Sequence, residues 1–175
     1  MVKRKIGDKV IRLIRGDITD IEVEAFVYDL GPDCRLDSGY GGAITSRGGK
    51  AIQDELDTVG TLETGDAVIT GAGKLKAKHI IHANGPKYLE PNTEAKLKFA
   101  TESALLLADA HGIKELALPP MGSGLYQVPL DVCARVMVET VAKHLKGDTS
   151  LEDVSVVALD SREYGPLQKS IEGGA

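Results

Sequence analysis

The sequence predicts an α/β protein with a largely parallel, buried sheet and helices on both faces of that sheet. Short apolar runs of strand length alternate with segments whose apolar residues recur at helical spacing. Parallel strands need long crossovers, usually helical, so this alternation is typical of a parallel sheet. The 175 residues suit one domain, and we predict a single domain over residues 1–175.

Six segments have the length and composition of strands. The first alternates apolar and charged side chains, and the others are short apolar runs bounded by turn-forming or polar residues. The predicted strands are 9–14, 25–28, 66–70, 79–83, 115–118 and 154–159. Only the turn-like segment 71–73 and a short polar stretch separate the third strand from the fourth, so these two are consecutive strands without a helix between them.

Helical spacing fills most of the remaining chain. The predicted helices lie within 43–56, 93–112 and 129–141, and a short helix follows residue 159. The Gly48–Gly49 pair is expected to break or bend the first helix. Asn92 and Thr93 are good capping residues for the second, and Pro129 opens the third.

Charge and composition disfavour a nucleic acid as partner. Lys and Arg total 21 against 26 for Asp and Glu, so the net charge is -5, a poor match to a polyphosphate backbone. Aromatic residues make up only 4% of the chain, which leaves few side chains for stacking on single-stranded bases. Both features therefore disfavour a nucleic-acid ligand without excluding one.

The chain is expected to be a cytoplasmic protein without a membrane partner. Its basic start lacks the apolar stretch of a signal peptide, and no run is long enough to cross a bilayer. Cys34 and Cys133 belong to no CxxC or Cys/His spacing, so neither a disulfide framework nor a metal site is predicted.

Two glycine-rich segments are candidates for binding an anion. Residues 39–42 and 122–124 follow strands or their exit loops and precede helical pattern. Glycine permits backbone conformations that turn successive N–H groups toward one point, and two such loops could clamp a diphosphate. Each loop taken alone is equally explained by the steric needs of a strand-to-helix turn. Asp17, after the first strand, either accepts a hydrogen bond from a base such as adenine or simply forms a turn.

Three segments resemble motifs of the macro domain family, which recognises ADP-ribose and related metabolites. Residues 16–19 read GDIT, as after the first strand of the family. Residues 64–86 resemble its G-x-A-x-x-T through V-I-H-x-x-G-P stretch, and 119–129 resemble P-A-[IL]-G-[ST]-G-[IV]-[YF]-G-x-P. The resemblance implies a three-layer α/β/α sandwich around a mixed, mostly parallel central sheet, with a cleft for ADP-ribose and no cofactor.

The resemblance also assigns ligand contacts. Asp17 would bind the adenine amine, Ile18 would add a backbone contact, and Leu159 stands where some members stack an aromatic ring on adenine. Tyr126 would also lie near the distal ribose. The N–H groups facing the phosphates would come from Ser123, Gly124, Leu125 and Tyr126. Independently of the resemblance, the glycine-rich segment 39–42 offers Gly39, Tyr40 and Gly41 as ligand contacts.

The first ligand loop departs from the family pattern. Tyr28 and Gly31 replace two asparagines, and Gly41 stands where some hydrolases carry a catalytic aspartate. The remaining carboxylates that could activate a water are Asp29, Asp33 and Asp37.

Asp37 replaces a glycine of the phosphate-facing loop and would repel a diphosphate if it pointed into the cleft. Alternatively, Arg35 neutralises it, or it faces solvent. The predicted function is recognition of ADP-ribose, a related adenine diphosphate metabolite or an ADP-ribosylated macromolecule, with ADP-ribosyl or O-acetyl-ADP-ribose hydrolysis as a further activity. The alternative is a non-catalytic macro domain that binds a different nucleotide.

Overall fold

The computed structural model describes residues 1–37, 39–87, 90–123 and 127–173. The strands in this part of the chain are β1 (Lys3–Ile6), β2 (Lys9–Arg15), β3 (Ala25–Asp29), β4 (Ala67–Gly71), β5 (His79–Ala83), β6 (Glu115–Leu118) and β7 (Asp153–Ala158). The α-helices are α1 (Tyr40–Gly48), α2 (Ala51–Asp57), α3 (Thr93–Ala110), α4 (Leu130–Leu145) and α5 (Ser161–Glu172), and a 3-10 turn spans Ile18–Asp20. None of these helices is long and apolar enough to span a membrane.

The strands form one mixed sheet in the order β1-β2-β7-β6-β3-β5-β4. The central five strands are parallel, whereas β1 and β4 run antiparallel to their neighbours at the two edges. β4 and β5 follow each other in sequence, which is why an antiparallel pair forms there without a crossover helix. The predicted mixed, mostly parallel α/β fold is confirmed.

Side chains on the strands alternate between two buried layers. On β3, Val27 faces a core shared with α3, α4 and α5, whereas Phe26 and Tyr28 face a second core shared with α1 and α2. Both Val27 and Phe26 are fully buried. Helices therefore cover both faces of the sheet, and the predicted three-layer sandwich is confirmed.

The main differences from the sequence prediction are one added strand and two element boundaries. The additional edge strand β1 reads Lys-Arg-Lys-Ile, a mostly charged run whose pairing with β2 carries no apolar signal in the sequence. Helix α1 begins at Tyr40, so Gly41 and Gly42 form its first turn instead of a loop. The last strand ends at Ala158, which leaves Leu159 outside the sheet. The predicted break at Gly48–Gly49 does separate α1 from α2.

Candidate functional site

A cavity of about 980 Å³ opens at the carboxyl ends of the parallel strands. The segments that leave β2, β3, β6 and β7 all reach its wall, because parallel strands direct their exits to the same edge of the sheet. The first residues of α1 and α5 complete the wall. The lining residues include Asp17, Ile18, Tyr28, Asp29, Asp33, Arg35, Asp37, Gly39, Tyr40, Lys87, Gly122, Ser123, Leu159, Arg162 and Glu163.

Asp17 is fixed by two neighbours at one end of this cavity. Its Oδ1 accepts hydrogen bonds from Thr19 N at 2.9 Å and from Thr19 Oγ1 at 2.7 Å, which caps the 3-10 turn. Its Oδ2 lies 3.1 Å from Arg47 Nη1 on α1. Burial acts to raise the pKa of Asp17, but the hydrogen bonds from Thr19 and the charge of Arg47 hold this pKa below its usual value. The carboxylate therefore stays ionised and presents an oriented acceptor to the cavity.

The first turn of α5 shapes the same end of the cavity. Asp160 caps the helix by accepting from Glu163 N at 3.1 Å, and Glu163 Oε1 accepts from Leu159 N at 2.8 Å. These bonds hold Leu159 in place after β7, where its side chain is 48% exposed. The exposed fraction leaves an aliphatic surface that a planar ligand group can contact.

Tyr40 contributes an aromatic ring from the start of α1. Its side chain is half-buried at the cavity wall, and burial together with the charges of Glu163, Asp17 and Asp160 raises the pKa of Tyr40 to about 12. The phenol therefore remains neutral at physiological pH. An uncharged ring beside three carboxylates suits a neutral ligand group, such as a nucleobase, better than an anion.

Asp29 lies under the loop that follows β6. Its Oδ2 accepts from Gly122 N at 2.6 Å, and its Oδ1 accepts from Gly85 N at 3.1 Å. Burial raises the pKa of Asp29 to about 6 although both hydrogen bonds favour the ionised form. Asp29 therefore has two backbone partners as well as a place on the cavity wall.

The loop after β6 has a fixed base. Gly122 O accepts from Val128 N at 2.8 Å, and the Cys133 thiol donates to Met121 O at 3.0 Å. Gly122 has a φ of +82°, and a Cβ there would lie 2.9 Å from Val128 Cγ2, so glycine is required on both grounds. Ser123 lines the cavity at the start of this loop. The predicted contacts of Gly124, Leu125 and Tyr126 lie outside the described residues.

The first ligand loop brings both remaining candidate carboxylates to the cavity wall. Asp33 and Asp37 are exposed there. Arg35 approaches Asp57 on α2, with Nη1 3.6 Å from Oδ1, so the ion pair that the structure gives Arg35 is with α2 and not with Asp37. Asp37 is exposed to solvent and also lines the cavity wall, so the inward and the solvent-facing orientations do not exclude each other.

Gly41 lies behind the wall, although the glycine-rich segment 39–42 predicted it as a ligand contact. It is buried, and a Cβ on this residue would lie 2.7 Å from the Tyr28 hydroxyl and 3.1 Å from Leu36 Cα. The Tyr28 side chain occupies the space that a side chain at position 41 would need. A side chain at this position would require the Tyr28 side chain and the Leu36 backbone to shift.

The four histidines contribute nothing to the described part of the cavity wall. His82 is fully buried on β5, and its Nε2 lies 2.9 Å from Thr70 Oγ1. Burial lowers the pKa of His82 to about 3. His79, on the same strand, is exposed because it begins β5, and the odd spacing places the two rings on opposite faces of the sheet. No cluster of three or more His, Cys, Asp or Glu that could hold a metal ion is present in the described ranges.

Sequence reasoning missed several residues of the site. Lys87, Arg162 and Glu163 line the cavity, and Arg47 orients Asp17. The spacing of Asp160 and Glu163 is a capping pattern that could have placed Glu163 at the start of a helix. Arg47 gave no local signal, because its approach to Asp17 depends on how α1 packs beside the 3-10 turn.

A mixed α/β/α sandwich with this cleft beyond its strand ends is the architecture of macro domains, and the sequence profile of the family points to the same class. The Macro domain profile matches residues 32–137. The chain therefore belongs to the macro domain family.

The relatives of this chain extend over nearly its whole length. A macro domain-containing protein of Caldanaerobacter subterraneus is 39% identical over 93% of this chain and 95% of its own length. A protein of Pantoea vagans named O-acetyl-ADP-ribose deacetylase 1 is 35% identical over 89% of this chain and 95% of its own length.

Solved macrodomains have the same fold. A variant of the Oceanobacillus iheyensis macrodomain, crystallised with ADPR, superposes with a TM-score of 0.91 and 24% identity over 98% of this chain and 96% of its own. The Trypanosoma brucei macrodomain in complex with ADP-ribose gives a TM-score of 0.85 and 26% identity over 91% of this chain and 68% of its own.

Proposed function

We propose that this macro domain binds ADP-ribose or a closely related adenine diphosphate metabolite, either free or attached to a macromolecule. The observation that carries the proposal is the cavity itself, where an oriented acid and apolar surface at Asp17 and Leu159 share one wall with Gly39 and Ser123, from the two segments predicted to bind an anion. The ADP-ribose and ADP complexes named for structural neighbours support the same ligand class.

The first turn of α1 provides a place for the diphosphate. This helix begins at Tyr40 beside the cavity, and its first amides have no partner within the helix. Such an end attracts anions through its N–H groups and the helix dipole. Asp33 and Asp37 oppose this attraction, whereas Arg35 and Arg162 on the same wall favour it. Binding of a diphosphate therefore depends on backbone amides more than on net side-chain charge.

Calorimetric titration with ADP-ribose tests the proposal, with ADP and AMP titrated alongside. We expect saturable 1:1 binding in the micromolar range, with affinity falling from ADP-ribose to AMP as phosphate and ribose contacts are lost. Asp17→Asn should weaken binding because it replaces an acceptor oxygen with a donor. Asp20→Asn, on the same 3-10 turn but paired with Lys76, is the matched control. Absence of binding heat with ADP-ribose would overturn the proposal.

Hydrolysis of an ADP-ribosyl or O-acetyl-ADP-ribose substrate is a second candidate function. It is favoured by the name of the Pantoea vagans relative and by three carboxylates on the cavity wall, Asp29, Asp33 and Asp37. A carboxylate of this set would orient and deprotonate the attacking water. Gly41 supplies no carboxylate, and the Tyr28 side chain occupies the space beside it.

Product release from O-acetyl-ADP-ribose and from an ADP-ribosylated peptide tests this second candidate. One of the single variants Asp29→Ala, Asp33→Ala and Asp37→Ala should abolish turnover while the protein remains folded. Binding without turnover in the parent protein, or unchanged turnover in all three variants, would leave ligand recognition as the function and exclude this catalytic scheme.

A further inference from the structure

One carboxylate joins the ends of three adjacent strands. Asp29 ends β3, which lies between β6 and β5 in the sheet. Its two oxygens accept from Gly122 N, after β6, and from Gly85 N, after β5. A single side chain therefore connects the floor of the cavity to the loop on which Ser123 lies.

The position of Gly122 controls the start of that loop. Gly122 O closes the loop through Val128 N at 2.8 Å, and Ser123 Oγ donates to Pro120 O at 2.7 Å. The positive φ of Gly122 directs its amide toward Asp29 and the chain toward the cavity. A displacement of the Gly122 amide would therefore move Ser123 on the cavity wall as well.

Protonation of Asp29 weakens this pair of hydrogen bonds. An ionised carboxylate accepts charge-assisted hydrogen bonds at both oxygens, whereas a protonated one is neutral and its O–H oxygen is a poorer acceptor. The amide that faces the O–H oxygen is then held less tightly. Partial burial raises the pKa of Asp29 to about 6, so this change falls within an accessible pH range.

Cys133 and several charged side chains of the cavity wall surround Asp29. Cys133 on α4 faces it, and burial and the Asp29 charge raise the pKa of this thiol to about 12. The charged groups that share the cavity wall with Asp29 include Asp33, Lys87 and Glu163, and no histidine occurs among the lining residues that the structure describes. Asp17 stays ionised because its pKa is lowered.

We infer that Asp29 is a positioning residue: its ionised carboxylate holds Gly122 and the adjoining Ser123 in the ligand-binding geometry, so that ligand affinity falls when Asp29 takes up a proton. The inference rests on the proposed function for its ligand. The resemblance to macro domains does not supply it, because it depends on an aspartate at the end of β3 in this chain.

Calorimetric titration with ADP-ribose at pH 7.5 and pH 5 tests the inference. The dissociation constant should rise about tenfold at pH 5, since only about a tenth of Asp29 is then ionised. Asp29→Asn should bind weakly at both pH values and lose the pH dependence. Asp148→Asn, at an exposed turn remote from the cavity, is the control and should keep the parental profile.

A second measurement uses the ligand-free parent protein and does not depend on a variant that folds. The amide resonances of Gly122 and Gly85 should shift together with a midpoint near pH 6 in a nitrogen–proton correlation spectrum. Failure of either amide to titrate, a flat affinity profile, or tighter binding at pH 5 would overturn the inference. Absence of ADP-ribose binding at every pH would instead overturn the proposed function.

Discussion

The two ends of the parallel sheet use the same chemical group for different purposes. At the amino end, Asp109 accepts from His144 Nε2 at 2.8 Å, from the Thr149 hydroxyl, and from both the amide and the hydroxyl of Ser150. At the carboxyl end, Asp29 also accepts backbone amides but borders an open cavity. One half-buried aspartate therefore ties neighbouring segments together at the amino end, and another helps to form a binding site at the carboxyl end.

The difference follows from the direction of the strands. The helices α3 and α4 end at the amino edge, where their last carbonyls and the turns that follow must be tied together. At the carboxyl edge, α1 and α5 begin. The first amides of α1, which no side chain caps, lie beside the cavity and attract anions, whereas Asp160 caps α5. Substitutions at the amino end should therefore change stability alone, and those at the carboxyl end should change ligand binding.

The largest expected effect is on stability, in Asp109→Ala. Removing this acceptor leaves donors from three residues without a partner, so the free energy of unfolding should fall by about 3 kcal/mol. Urea denaturation followed by circular dichroism measures the loss. ADP-ribose affinity of the folded variant should remain that of the parent protein.

Asp148→Ala is the matched control for Asp109→Ala. Asp148 lies on the neighbouring turn and is exposed, so its removal should change the unfolding free energy by less than about 0.5 kcal/mol. A folded Asp109→Ala protein with impaired ligand binding would show that the two ends of the sheet are coupled, contrary to the comparison.

The next effect concerns the pH dependence of stability, through His82. Burial lowers its pKa to about 3, so the stability that depends on the neutral ring is complete above the unfolded pKa of 6.5 and is lost as pH falls toward 3. At pH 5 the loss of unfolding free energy from this cause is about 2 kcal/mol. Asp29 acts in the opposite direction: its raised pKa gives a contribution that is complete below 3.8 and is lost as pH rises through about 6.

Urea denaturation at pH 7.5 and pH 5 separates these two contributions. His82→Leu should be less stable than the parent at pH 7.5, because Thr70 loses a partner, but it should not lose further stability at pH 5. His79→Gln, at an exposed position on the same strand, should behave as the parent. A His82→Leu variant with the parental pH dependence would remove His82 as the cause.

The third effect is on affinity, in Gly122→Ala. The added Cβ meets Val128 Cγ2 at 2.9 Å and Pro86 O at 3.3 Å in a backbone conformation with φ of +82°. Relief of this strain should displace the loop and weaken ADP-ribose binding about twentyfold, with a smaller loss of stability. Gly165→Ala, with no atom within 4 Å of the added Cβ, serves as the control and should bind normally. Normal affinity in Gly122→Ala would show that the loop base tolerates movement.

Much of the fold could be predicted because its signals are local and periodic. The strands β2 to β7 and the helices coincide with apolar patterns that only burial explains, whereas β1 is a charged edge strand defined by its partner. The cavity wall was predicted in outline, since the residues that end β2, β3, β6 and β7 must converge.

The details of the site depend on contacts between residues distant in sequence. Arg47 reaches Asp17 across 30 positions, and Gly122 reaches Asp29 across 93. The position of the Tyr28 hydroxyl next to Gly41 depends on how β3 packs against α1. No local pattern encodes these distances, so the sequence could indicate candidate groups but not their partners.

The smallest expected effect distinguishes the surfaces within the carboxyl end and concerns Tyr40. Under the proposed function, its neutral ring contacts the nucleobase together with Leu159. Tyr40→Val should weaken ADP-ribose binding about threefold, because the aromatic contact is lost. Tyr40→Phe keeps the ring, and its affinity should stay within about twofold of that of the parent. The Tyr40 hydroxyl that this variant removes is un-ionised and places no charge near the ligand.

Comparing ADP-ribose with ribose 5-phosphate in calorimetry locates the contact, because the second ligand lacks the base. Tyr40→Val should then lower affinity for ADP-ribose and leave that for ribose 5-phosphate unchanged. Equal losses for both ligands would place Tyr40 beside the phosphates, where it begins α1, and would assign the nucleobase contact to Leu159 alone. Either result refines the comparison, because it separates the part of the carboxyl end that recognises a base from the part that recognises an anion.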